Sequence, residues 1–116
     1  MRQFWPKESR ILRSRDFRKI QRNGRKWKSR DLLFLYLPNK LDRLRIGLVV
    51  SKKVGNAVVR NKSKRWLREI FRKQISDSFL KGGDIVVIVF SSFIQQEFLS
   101  IESQCIKALK SIHQKL

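Results

Sequence analysis

Acidic residues are scarce in this chain: nine Asp and Glu stand against 28 Lys and Arg, for a formal net charge of +19 at pH 7. That imbalance exceeds what solubility requires and points to a polyanionic partner, either nucleic acid or an anionic membrane. Cysteine and histidine are rarer still. A lone Cys105 cannot close an internal disulfide, and with a lone His113 it makes no metal set, which suits a reducing cytoplasm. Long apolar runs are missing as well, the longest being 32–37 and 85–90, so no segment is expected to span a membrane. The opening Met1-Arg2-Gln3-Phe4-Trp5-Pro6-Lys7 lacks the apolar stretch of an export signal. The nine acids are scattered, without a close pair to hold a catalytic metal, which argues against an autonomous nuclease.

The cations that are present are unevenly spread. Residues 1–75 carry 24 Lys and Arg against five acids, whereas 76–116 carry four of each, so the net charge lies in the first two thirds. With 116 residues, 41% of them hydrophobic, the chain suits a single domain over 1–116 with one modest core, in which the basic residues 1–10 form a mobile arm. Ser14 is placed to cap a short helix that Gly24 closes. Residues 25–28, 32–37 and 45–51 read as three strands, expected as antiparallel neighbours, and Gly82-Gly83 marks a turn before the β-branched run 85–90, an inner strand buried on both faces. Helices are predicted over 57–73 and 95–114. The order αβββαβα gives an α+β fold, a two-layer sandwich with helices on a four-stranded mixed sheet.

The 57–73 helix is the most informative segment. At about 100° per residue, Asn61, Lys64, Arg65, Arg68 and Arg72 share roughly a third of its circumference, while Val59, Trp66, Leu67 and Ile70 fall opposite. The first group forms a basic stripe and the second packs on the sheet, with Trp66 read as core. A charged helix face is usually just solvated, but like charges at i, i+3 and i+4 repel by a few tenths of a kcal/mol per pair, and only Glu69 compensates locally. Phosphates explain such a stripe better than water does. Lys52 and Lys53 add charge just before the helix N-terminus, where backbone amides already favour anions. Phe4, Trp5 and Trp27 lie among basic residues, an arrangement suited to base stacking beside a phosphate groove.

The run Ser51-Lys52-Lys53-Val54-Gly55-Asn56-Ala57-Val58-Val59-Arg60-Asn61-Lys62-Ser63-Lys64-Arg65-Trp66-Leu67-Arg68-Glu69-Ile70-Phe71-Arg72 resembles the signature of the bacterial ribonuclease P protein family. Its hallmark matches at Arg60, Asn61, Lys64, Arg65 and Arg68. Lys62 stands where the family has Arg, keeping the charge without the planar fork that grips phosphate bidentately. Upstream matches occur at Arg45, Gly47, Ser51, Lys52 and Lys53, and at Leu12, Asp16 and Phe17, so the resemblance covers nearly the whole chain. It implies a left-handed crossover from the third strand through the basic helix to the fourth, against the right-handed form that is general for parallel crossovers.

The resemblance also implies a subunit of the endoribonuclease that removes the 5′ leader from precursor tRNA, with the chemistry and its Mg²⁺ on a catalytic RNA and no cofactor or catalytic residue on the protein. The RNA-subunit contacts it implies are Lys52, Lys53, Asn56, Arg60, Asn61, Lys62, Lys64, Arg65, Arg68 and Arg72. A cleft for the single-stranded leader would use Phe17, Leu35 and the neighbouring Phe34, Tyr36 and Trp27. The partners are then the catalytic RNA and precursor tRNA, with no membrane and no obligate protein partner evident. A ribosomal or other structural RNA-binding protein would suit the same size and charge, and only the long signature separates the two. A membrane-surface protein fits less well, because the residues opposite the stripe are sheet-packing rather than lipid-facing.

Overall fold

A computed structural model describes residues 13–41, 43–76 and 82–114. The expected basic arm 1–10, with Phe4 and Trp5, lies outside them. The elements are α1 (Ser14–Asn23), β1 (Arg25–Lys28), β2 (Leu32–Pro38), β3 (Arg45–Val49), α2 (Ala57–Ser76), β4 (Gly83–Val89), a 3₁₀ turn (Ser91–Gln95) and α3 (Phe98–Gln114). The chain is thus an α+β fold of three α-helices and one four-stranded mixed sheet.

The sheet order is β1-β2-β4-β3, with β1–β2 and β2–β4 antiparallel and β3–β4 parallel. The three antiparallel neighbours expected from sequence are therefore corrected, because β4 inserts between β2 and β3. The reason lies in burial. The near-continuous apolar runs of β2 and β4 need cover on both faces and take the two central places. Basic β1 and half-exposed β3 tolerate the edges. The β3–α2–β4 connection then joins adjacent parallel strands.

Register divides the strand residues between the two faces. Trp27, Phe34, Tyr36, Ile46, Ile85 and Val87 point to the side covered by α2 and α3, and there they build the main core with Leu67, Ile70, Phe71, Ile101, Cys105 and Ile112. This is the two-layer sandwich. Helix α1 lies on the reverse face, where its Ile20 packs on Leu35 and Val86 in a smaller core. It leaves part of that face open.

Several ends differ from the sequence reading. Helix α1 starts at Ser14 itself, so the capping position is Arg13, extended at φ −99° and ψ 136° with no side-chain cap. Helix α2 runs three residues past 73, and α3 starts at Phe98 because 91–95 form the 3₁₀ turn. Gly24 does end α1, in extended backbone, and what demands glycine there is space: a Cβ would lie 2.5 Å from the Ile20 carbonyl oxygen. Gly82 takes φ +73°, a conformation that L side chains rarely adopt. A Cβ on Gly83 would overlap the Tyr36 ring.

Candidate nucleic-acid interface

Helix α2 is held by its apolar side. Leu67, Ile70 and Phe71 are fully buried, and Ser63 Oγ donates to the Val59 carbonyl within the helix. The start is fixed by Asn56, whose Oδ1 accepts the Val59 N–H at 3.0 Å, an N-cap bond that satisfies one orphan amide. No acid occupies the first turn. The positive end of the helix dipole is therefore reinforced by exposed Lys52 and Lys53 rather than neutralised.

The opposite side presents Asn61, Lys62, Arg65 and Arg68 to solvent, with Arg60, Lys64 and Arg72 half-buried. The Nε of Arg60 is buried with no hydrogen-bond partner among the described residues. Lys62 departs from the stripe, its ammonium lying 5.0 Å over the Trp66 ring. The structure thus brings Asn61, Lys64, Arg65, Arg68 and Arg72 together as the spacing predicts. It gives Asn56 a capping role that sequence alone did not assign.

The second proposed surface is reorganised by strand parity. Phe17, on α1 itself, and Leu35 lie on the reverse face, Phe17 half-buried and Leu35 buried beneath the helix. Phe34, Tyr36 and Trp27 face the other way, into the main core. Phe34 is 0% and Tyr36 3% exposed, so neither can stack on a base, and half-buried Trp27, opposite Phe34 in the register, packs with them. These three are removed from the cleft. Burial, with nearby Asp84 second, raises the pKa of the Tyr36 hydroxyl.

In their place the reverse face offers Leu33, Val49 and Ile88, all half-buried and packed around the Ile20–Leu35–Val86 cluster. Phe90 continues β4 in extended backbone, and the Lys28 ammonium stands 5.9 Å over its ring. Lys26 and Lys28 share this face through their pairing with Leu35 and Leu33. An apolar floor with an aromatic ring and a lysine rim is what a single strand needs, bases on the floor and phosphates on the rim. Period-two alternation in β2 and β4 could have singled out Leu33 and Ile88. Phe90 required the turn geometry that follows it.

At the other end of this face the acids are already engaged. Arg45 grips buried Asp84 through two hydrogen bonds of 2.8 and 2.7 Å, and Asn39 Nδ2 donates to the same carboxylate at 2.6 Å. The hydrogen bonding to Asp84 raises the Arg45 pKa against its partial burial. Among the described residues, no group of three or more His, Cys, Asp or Glu is placed to hold a metal ion. Nor, among them, is any helix long and apolar enough to cross a membrane.

A basic helix docked by its apolar side, the half-covered sheet behind it and the signature residues along its exposed face can be compared with known proteins. The family model for ribonuclease P matches residues 5–113. The chain belongs to the ribonuclease P protein family. It is 36% identical over 104 residues to a ribonuclease P protein component of Clostridium botulinum strain Langeland, covering 90% of this chain and 94% of that one. The Thermotoga maritima ribonuclease P protein component is 35% identical over 116 residues, covering 97% and 98%. Among solved structures, a mutant Staphylococcus aureus RNase P protein superposes with a TM-score of 0.86 at 35% identity, covering 92% of this chain and 90% of that chain. The T. maritima protein superposes with 0.79 at 36%, covering 88% and 96%. The relatives share the chain's length and fold, and membership of the family implies involvement in an endoribonuclease complex.

Proposed function

We propose that the chain assembles with the catalytic RNA of ribonuclease P through α2 and holds the 5′ leader of precursor tRNA on the open reverse face beside α1. It thereby assists endonucleolytic removal of the leader in the cytoplasm. The observation that carries this reading is the division of α2: Leu67, Ile70 and Phe71 are spent on the core, leaving Asn61, Arg65 and Arg68 in solvent. Lys52, Lys53, Arg60, Lys64 and Arg72 extend the same surface, and Phe17, Leu33, Val49, Ile88 and Phe90 offer the leader an apolar floor.

The protein's part is binding and positioning. The Mg²⁺ that the hydrolysis uses belongs with the RNA, and the side chains here would act by neutralising phosphates so that RNA and substrate approach each other. The test is reconstitution of the purified chain with a bacterial ribonuclease P RNA and a radiolabelled precursor tRNA. The chain alone should leave the precursor intact, and with the RNA it should raise the rate of leader release. A chain that selects ribosomal RNA in competition and leaves the cleavage rate unchanged would overturn the proposal.

A further inference from the structure

One concavity lies outside both surfaces. Val59, Lys62, Ser63 and Trp66, one flank of α2, face Phe93, Ile94 and Gln96 across a pocket of about 120 Å³. Its walls are preformed. Trp66 is wedged against Phe93 at 6.0 Å between ring centroids and edge-on against Phe98 at 5.5 Å. The facing 3₁₀ turn is tied down from both sides. Ser92 Oγ donates to the fully buried carboxylate of Asp31 at 2.6 Å, and Arg30 donates to Gln96 Oε1 at 2.5 Å. Yet the mouth opens to solvent at an apolar residue, with Ile94 53% exposed.

Ile94 and the half-buried Trp66 line the pocket with apolar surface that a ligand's apolar face would remove from water. The neighbouring charges indicate the class of ligand that would cover them. The Lys62 ammonium sits over the Trp66 ring, on the helix flank between the pocket and Arg65. A flat aromatic group carrying a phosphate meets both features at once. Its ring would enter between Trp66 and Ile94, its phosphate would draw Lys62 off the indole, and the Gln96 amide NH2, whose Oε1 partner is Arg30, would face its polar edge.

We infer that this pocket receives one unpaired nucleotide of an RNA bound along α2, a base-binding site separate from the phosphate stripe and from the leader face. The inference rests on the reading of α2 as an RNA-binding helix. The site adds a base contact to an otherwise electrostatic surface, and so favours RNA with an extruded base at one position over uniform duplex.

The experiment uses the full chain carrying Trp5→Phe and Trp27→Phe, which leaves Trp66 as the sole tryptophan. Its emission is titrated with hexa-adenylate and with an abasic ribose-phosphate oligomer of the same length and charge. Hexa-adenylate should quench Trp66 saturably and the abasic oligomer should not. In the same background Ile94→Glu, at an exposed position, should keep the melting temperature and weaken hexa-adenylate binding by about 5- to 150-fold, the range corresponding to one stacked base. Equal emission changes with both oligomers would overturn the pocket. So would an unquenched Trp66 in a protein that sediments as a dimer and becomes monomeric on Ile94→Glu, since the patch would then be a self-association surface. Arg65→Ala serves as the separating control. If it weakens binding of both oligomers while Trp66 stays silent, only the pocket fails; if it weakens neither, the reading of α2 fails.

Discussion

Individual residues in this chain divide by what their surroundings leave free. Asp31 is fully buried, and burial by itself would raise its pKa. The hydrogen bonds from Ser92, Gln104 and Arg30 more than offset that and leave it below the ordinary 3.8. A depressed folded pKa contributes stability that is present above the unfolded value and lost as pH falls through the folded one. The melting temperature should therefore drop as pH is lowered from 5 towards 3, and Asp31→Asn should flatten that drop. At pH 7 Asp31→Asn should itself cost about 1–3 kcal/mol, since the Gln104 amide loses a buried charged acceptor; thermal melts across pH check both effects. Gly83→Ala should cost about 1–3 kcal/mol by forcing the buried Tyr36 ring aside, read by denaturant unfolding. Neither residue's role was legible in the sequence. Asp31 is one of nine scattered acids in the sequence and Gly83 half of a turn signal; Ser92 and Gln104, which hold the one, and Tyr36, which crowds the other, all lie more than 40 positions away.

Among the elements, α2 was legible and the sheet order was not. A helix with one apolar and one basic side announces both in its 3.6-residue period. Strand order depends on which strands need burial on both faces, and the sequential pairing of β2 with β3 gave way to that need. The same limit explains the leader face. Phe34, Leu35 and Tyr36 are adjacent in sequence, yet alternation sends Leu35 to the reverse face and the two aromatics to the core. Asn56 supplies a test of how α2 is built. Asn56→Ala should cost about 0.5–2 kcal/mol through the lost cap, whereas Asn56→Ser should restore the melting temperature. If Asn56 acts only as a cap, Asn56→Ser should restore RNA affinity as well; a stable Ser variant that still binds poorly would give Asn56 a direct RNA contact.

At the scale of the whole molecule, a charge of +19 concentrated before residue 76 makes association with RNA an ion-exchange reaction. With roughly 6 to 10 phosphates neutralised, affinity for the ribonuclease P RNA should fall about 10³- to 10⁵-fold between 50 and 200 mM monovalent salt. Arg65→Ala and Arg68→Ala should each lower the slope by about one unit without unfolding the protein, and an unchanged slope in both would move the contact off α2. Net charge and length foretold this behaviour, but they cannot separate two RNA surfaces on one small fold. That separation is the central claim, and the affinity of the assembled complex for precursor against mature tRNA tests it most directly. Phe17→Ala should weaken precursor binding by about 1–3 kcal/mol, the worth of one stacked base, and leave mature tRNA unaffected. Arg65→Ala should impair assembly with the RNA whichever substrate is present. A Phe17→Ala protein that keeps its melting temperature and binds precursor and mature tRNA in the wild-type ratio would contradict a leader site beside α1.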